Sequence, residues 1–178
     1  MTPRDAFADQ ARSCSIMGSS LTAEICMILG ESLDRDHRPV ARRILDWPGE
    51  PSSRCDSVPL RLAGALHALV LDRSAPQLAA AYADGHVSAK PLLAAITAYE
   101  ARVMRCLDYP PQTNEVGRSA ILIAAARFAQ ALCPLPIAAL ELGASAGLNL
   151  NFGHYHLLES GKGVALHPDW RGELPSGA

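Results

Sequence analysis

Apolar residues recur at helical spacing along most of this chain and gather into short runs between glycines only near its end. Phe7, Ala11 and Cys14 share a face at intervals of four and three, and Thr2-Pro3 supplies an N-cap with proline behind it, so a helix is expected to about Cys14. Met17 to Ser20 breaks the pattern. Leu21, Ile25, Ile28 and Leu29 then form the stripe of a second helix over 21–33, and a charged turn at 34–38 leads to a short helix over 40–47. The stretch 48–59, PGEPSSRCDSVP, is dense in breakers and reads as a loop. Residues 60–72 are apolar on nearly every side, which predicts a buried central helix.

Pro76 opens a short helix that Asp84-Gly85 ends. From Ser88 a longer one is expected to run to about Leu107, with Leu92, Leu93, Ile96, Tyr99, Val103 and Leu107 inward and Glu100, Arg102 and Arg105 solvated. Pro110 and Pro111 interrupt it. Thr113 or Asn114 can cap the next helix, which is expected to bury Ile121, Leu122, Ala125 and Phe128 and to stop before Cys133-Pro134. Thereafter the text turns strand-like. IAALEL at 137–142 reads as a strand, GASAG as a tight turn and LNL as a helix start, while HYHLLE and VALHP around SGKG suggest a second strand and a hairpin partner. The fold class expected is mainly α: a helical domain over 1–132, then over 133–178 the first strands of a Rossmann-like α/β unit, cut short.

Composition narrows the core rather than the chemistry. Hydrophobic residues make up 49% of 178 and aromatics only 5%, so the interior must be built from Ala, Leu, Ile and Val. The net charge of -2 comes without a block of like charge, giving no nucleic-acid or membrane-surface footprint. No apolar run approaches the ~20 residues that span a bilayer. The N-terminal segment lacks the apolar core of a signal peptide, so a cytoplasmic location is expected. Cys14, Cys26, Cys55, Cys106 and Cys133 are scattered, odd in number and without a CxxC pair, which favours reduced thiols over a zinc site or a disulfide framework. His67 has no second ligand at i+3 or i+4. His154 and His156 would share a strand face but have no matching carboxylate or cysteine, and no metal site is expected.

Two stretches carry candidate chemistry. The first is a polar turn at the start of the helix after Pro111, where Gln112, Thr113, Asn114, Glu115 and Arg118 lie close together. Capping with a Glu115–Arg118 ion pair explains it, as does a role as one wall of a pocket. The second is ELGASAG at 141–147. Its glycines permit positive φ or close backbone approach, and the helix start behind it offers unpaired N–H groups.

Three readings compete for this turn. It resembles the nucleotide-binding turn of S-adenosylmethionine-dependent methyltransferases, which would make Glu141, Gly143, Ala144, Ser145, Gly147 and Asn149 cofactor-binding, with Glu159 as a second acid ~20 residues on. It is also literally G-x-S-x-G, the nucleophile elbow of a serine hydrolase with Ser145 attacking. There, only Asp169 or Glu173 and His154, His156 or His167 remain to complete a triad, and His167 precedes Asp169 against the usual order. In the third reading the small residues only pack, and the chain is a helical binding or oligomerisation module without enzymatic activity.

PPQTNEVGRSA at 110–120 and LELGASAGLNLNF at 140–152, supported by LRLAGALHALVLD at 60–72 and PDWRGELP at 168–175, make the chain resemble an uncharacterised bacterial family known only as a domain of unknown function. That resemblance implies a methyltransferase-like glycine turn but no established reaction. It also implies a longer α/β domain than the 31 residues after Gly147 can form. A small-molecule ligand is therefore expected, with S-adenosylmethionine as the cofactor if the protein is an enzyme. No residue can be named as a general base. An unfinished sheet edge also suggests a homo-oligomer.

Overall fold

The computed structural model describes residues 1–35, 38–111, 115–157, 164–169 and 171–172. It divides into two compact units, Met1–Pro111 and Gln112–Ala178.

The first unit is entirely helical among its described residues: α1 Pro3–Ile16, α2 Ser20–Ser32, α3 Arg38–Leu45, α4 Val58–Leu71, α5 Pro76–Ala83, α6 Ala89–Ala98 and α7 Glu100–Cys106. Helix α1 starts as its sequence requires. The Thr2 hydroxyl accepts from the Asp5 N–H at 3.2 Å while the Asp5 carboxylate accepts from the Thr2 N–H at 3.1 Å, a reciprocal capping box. The Thr2 hydroxyl's bond to the same carboxylate holds the Asp5 pKa below its ordinary value. From the first turn of α1, Arg4 donates to the carbonyls of Gly30 and, at 2.7 Å, Leu33, satisfying the last turn of α2. Glycine is needed at position 30, because a Cβ there would lie 2.8 Å from that of Phe7.

Helix α4 is central, as its all-round apolarity predicts. Leu62, Leu66 and Leu69 are completely buried, and α4 packs against α1, α2, α5, α6 and α7. Burial also shapes the chemistry here. It pushes the Cys26 thiol up to about 12 with help from Cys14, and the Tyr82 phenol up to about 12 with help from Cys26.

One expected helix is two. The run from Ser88 to Leu107 breaks at Tyr99, whose backbone (φ -115°, ψ 28°) leaves the helical region while its hydroxyl donates to the Ser74 carbonyl. The break also brings Arg102, expected in solvent, onto Asp72. With the Ser74 side chain and N–H also bonded to it, the Asp72 carboxylate is held below its ordinary pKa.

The breaker-rich loop 46–57 is tightly tied. The Trp47 indole N–H donates to Asp56 Oδ2 at 2.8 Å, and the Arg43 and Arg61 guanidinium groups sit 5.7 and 5.6 Å from the Trp47 ring centroid. Arg61 Nε donates to the Asp56 carbonyl at 2.6 Å. Its Nη1 reaches the Leu107 carbonyl at 3.0 Å, and Arg43 Nη1 the Met104 carbonyl at 2.9 Å, so two arginines cap the end of α7. A Cβ on Gly49 would fall 2.2 Å from Asp56 Oδ2, so a side chain there would push aside the carboxylate that Trp47 holds.

The second unit contains a 3₁₀ turn at Val116–Arg118, helix α8 at Ser119–Leu132, a second 3₁₀ stretch at Leu148–His154, and strands β1 Tyr155–Leu157 and β2 Val164–Leu166. The chain is thus mainly helical with two short strands. Three expectations are corrected here. First, α8 buries Ser119, Ala120, Ile123 and Ala124, not Ile121, Leu122, Ala125 and Phe128, because Leu157 and its neighbours pack on the opposite side of a helix that carries apolar residues on both sides. Second, Ile137–Leu142 joins no ladder. A strand needs a neighbour to take its N–H and C=O groups, and among the described residues none lies alongside. Third, β1 and β2 pair in parallel, Tyr155 with Val164 and Leu157 with Leu166, not as a hairpin. That register brings the buried Leu157 beside Leu166 against α8, while 158–163 lies outside the described residues. His154 closes the 3₁₀ stretch, so only His156 is in the strand. Among the described residues, no helix is long and apolar enough to cross a membrane.

Candidate functional site

Backbone conformation marks the glycine turn. Gly143 (φ 69°), Ser145 (φ 52°) and Gly147 (φ 70°) alternate in the left-handed region, and the Gly147 N–H closes the turn on the Ala144 carbonyl at 2.8 Å. The Leu150 N–H then bonds the Gly147 carbonyl at 3.2 Å and starts the 3₁₀ stretch. A Cβ at Gly143 or Gly147 would meet no atom within 4 Å, so the protein requires glycine there for its φ and not for space. Serine at positive φ is less common and costs roughly 1–2 kcal/mol.

The turn is fastened to the start of α8 by a buried polar chain. The Ser119 hydroxyl, fully buried, donates to Asn149 Oδ1 at 3.0 Å, which turns the other end of the amide outward. Asn149 Nδ2 donates to Glu141 Oε1 at 3.3 Å. Asn149 is itself 2% exposed, and a buried amide stays folded in only when its polar atoms are paired. Glu141 is half-buried at the root of the turn. The Tyr155 hydroxyl donates to the Leu148 carbonyl at 2.8 Å and steadies the other side.

The structure therefore brings together Glu141, the turn 143–147, Asn149 and the first residues of α8. Glu115 does not pair with Arg118. Its carboxylate accepts from the Gly117 N–H at 2.8 Å, capping the 3₁₀ turn, and Arg118 is exposed. Gln112, Thr113, Asn114 and Glu159, also expected at the site, lie outside the described residues. Ser119 was not singled out by sequence. A serine at the first position of a helix looks like ordinary N-terminal chemistry, and only its partner Asn149, thirty residues on, reveals otherwise.

Two further features bear on function. In the first unit an open groove of ≈ 590 Å³ is lined by Ile16, Ala23 and Met27, with Glu24 and His86 as its polar pair (Nδ1 to Oε2, 3.6 Å). The five cysteines are all free: Cys14 and Cys26 are buried, Cys55 and Cys133 exposed, and Cys106 is between. Among the described residues, no three His, Cys, Asp or Glu side chains are grouped to hold a metal ion. His67 is exposed and meets the Tyr82 ring edge-on at 5.6 Å.

A mainly helical chain with a positive-φ glycine turn pinned to a helix start is the class that the geometry defines. Residues 4–178 match the family described as uncharacterised proteins conserved in bacteria, DUF2332, and the chain belongs to it. No curated protein and no solved structure matches the chain.

Proposed function

We propose that the glycine turn is a binding site for S-adenosylmethionine or a closely related nucleoside, within a methyltransferase-like, Rossmann-like α/β unit. The observation that carries the reading is the chain Ser119–Asn149–Glu141, which holds a carboxylate at the root of a turn with three left-handed residues. A fixed carboxylate can accept from ribose hydroxyls or an ammonium group. A side chain at Gly143 or Gly147 would stand in open space, so the turn leaves room beside it for such a ligand. Gly143, Ala144, Ser145 and Gly147 would line it, and Glu159 would be the second acid. When bound, S-adenosylmethionine supplies an electrophilic methyl group, and the protein's part would be chiefly to orient it.

Titration with S-adenosylmethionine and S-adenosylhomocysteine, followed by calorimetry or thermal shift, tests this. A specific binder at a hundred times its Kd gains about 2.7 kcal/mol of stability. Silence with both ligands defeats the proposal and leaves the turn a structural element of a helical module.

Ser145 at φ 52° within G-x-S-x-G gives the hydrolase reading one observation of its own, since a nucleophile elbow also holds its serine in a strained turn. Labelling by a fluorophosphonate that disappears in Ser145→Ala would favour it over nucleoside binding.

A further inference from the structure

The ≈ 590 Å³ groove of the first unit is lined by α1, α2 and the turn between α5 and α6. Ala11 and Ala23, 2% and 7% exposed, lie deepest in it, while Ile16 and Met27, 87% and 55% exposed, offer apolar surface to whatever enters. One carboxylate shares this lining. Glu24 Oε2 accepts from the Val87 N–H at 3.2 Å, and Val87 is itself buried, so the turn after α5 fixes where that carboxylate sits. His86 Nδ1, 3.6 Å away, is beyond hydrogen-bond reach. A carboxylate can accept at about four lone-pair positions, and the Val87 N–H takes one of them. Arg12, the other charged group of the lining, is engaged at 3.1 Å with Asp9, one turn earlier on its own helix.

We infer that the groove binds a small apolar amine, its hydrocarbon body against Ala23, Ile16 and Met27 and its ammonium on Glu24. Size selects a small molecule over a protein partner. The volume lies within the roughly 300–1,000 Å³ of small-ligand sites. Ten residues line the groove, whereas a standard protein interface takes about 20–30 a side. Charge selects the amine. An ammonium brings three N–H donors to a carboxylate that is already held in place, and charge-assisted bonds of this kind are the strong ones. A carboxylate ligand would meet Glu24 as a like charge and would have to draw Arg12 away from Asp9. The apolar lining supplies the rest of the affinity and favours an alkyl or aryl body over a polar one.

Amide NMR titration of the full 178-residue chain with phenylbutylamine, phenylbutanol and phenylbutyrate tests the inference, because the three share a hydrocarbon body and differ in charge. The amine should shift the amides of residues 23–27 and 85–87 with a Kd of about 1 mM or lower, and should bind about tenfold or more tightly than the acid. Glu24→Gln keeps an acceptor for the Val87 N–H, so the fold is retained, as the remaining amide spectrum would report. It should weaken the amine about tenfold or more and leave the alcohol unchanged. Ile16→Ser, at an exposed position, should weaken amine and alcohol alike by about threefold or more. An amine that moves no groove amide at about 10 mM overturns the inference. So does an acid bound as well as the amine, which would give the groove to Arg12, or an amine affinity indifferent to either variant. The groove lies wholly in the first unit, so these outcomes are separate from nucleoside binding at the glycine turn.

Discussion

The chain Ser119–Asn149–Glu141 makes a quantitative claim. Ser119→Ala removes one neutral hydrogen bond and leaves the buried Asn149 oxygen without that donor, a loss of about 1–2 kcal/mol. Asn149→Ala costs more. It removes that bond, takes a donor from the half-buried Glu141 and strands the Ser119 hydroxyl, for roughly 3 kcal/mol. In the double variant the hydroxyl is no longer stranded, so the loss should be near that of Asn149→Ala alone. The coupling energy is then about 1–2 kcal/mol. Native-state hydrogen exchange of the α8 and 148–157 amides reads each value locally, at tenfold in exchange rate per ~1.4 kcal/mol, without requiring the two units to unfold together. Losses that add within ~0.5 kcal/mol would show that serine and asparagine act separately and that the turn is not pinned to α8.

Three further outcomes follow. Gly143→Ala and Gly147→Ala should each destabilise the unit by only about 1 kcal/mol, and asparagine at either position by less, since φ alone is strained; a loss above ~3 kcal/mol in chemical denaturation would mean crowding. With Ellman's reagent at pH 8, Cys55 and Cys133 should react in the native chain and Cys26 only after unfolding, because burial pushes its thiol up to about 12; rapid native labelling of Cys26 would contradict its place in the core. The Asp72 pKa is lowered, so its contribution is complete above the ordinary value of 3.8 and is lost as pH falls through the lowered folded value; thermal melts at pH 7 and pH 3 should differ less in Asp72→Asn than in the parent, and an equal difference would discount the Ser74 and Arg102 contacts.

The first unit was largely legible because its signals are local. Thr2 through Asp5 is a complete N-terminal signature, and the apolarity of 60–72 is enough to bury α4. Tyr99 was not legible: periodicity runs straight through it, and the hydroxyl contact to Ser74 that fixes the break spans 25 residues. In the second unit α8 shows why a stripe can be assigned to the wrong side. With both faces apolar, spacing finds the axis of the helix but not which face meets Leu157. IAALEL has strand composition, yet a strand is a relation between two segments, and sequence lists only one. The glycine turn was readable from Gly143 and Gly147, whereas Ser119 became visible only as the far end of a hydrogen bond.

The Trp47–Asp56–Arg61 fastening changes what the loop before α4 can tolerate. Its composition of proline, glycine and serine is that of a segment where insertions, tags or new termini are usually accepted. Here the loop shares Arg61 with the end of α7, which lies 46 residues further along the chain. A cut between Gly49 and Asp56 would therefore loosen a helix that it does not touch. For anyone re-engineering this protein, the loop at 48–57 is a seam to leave closed.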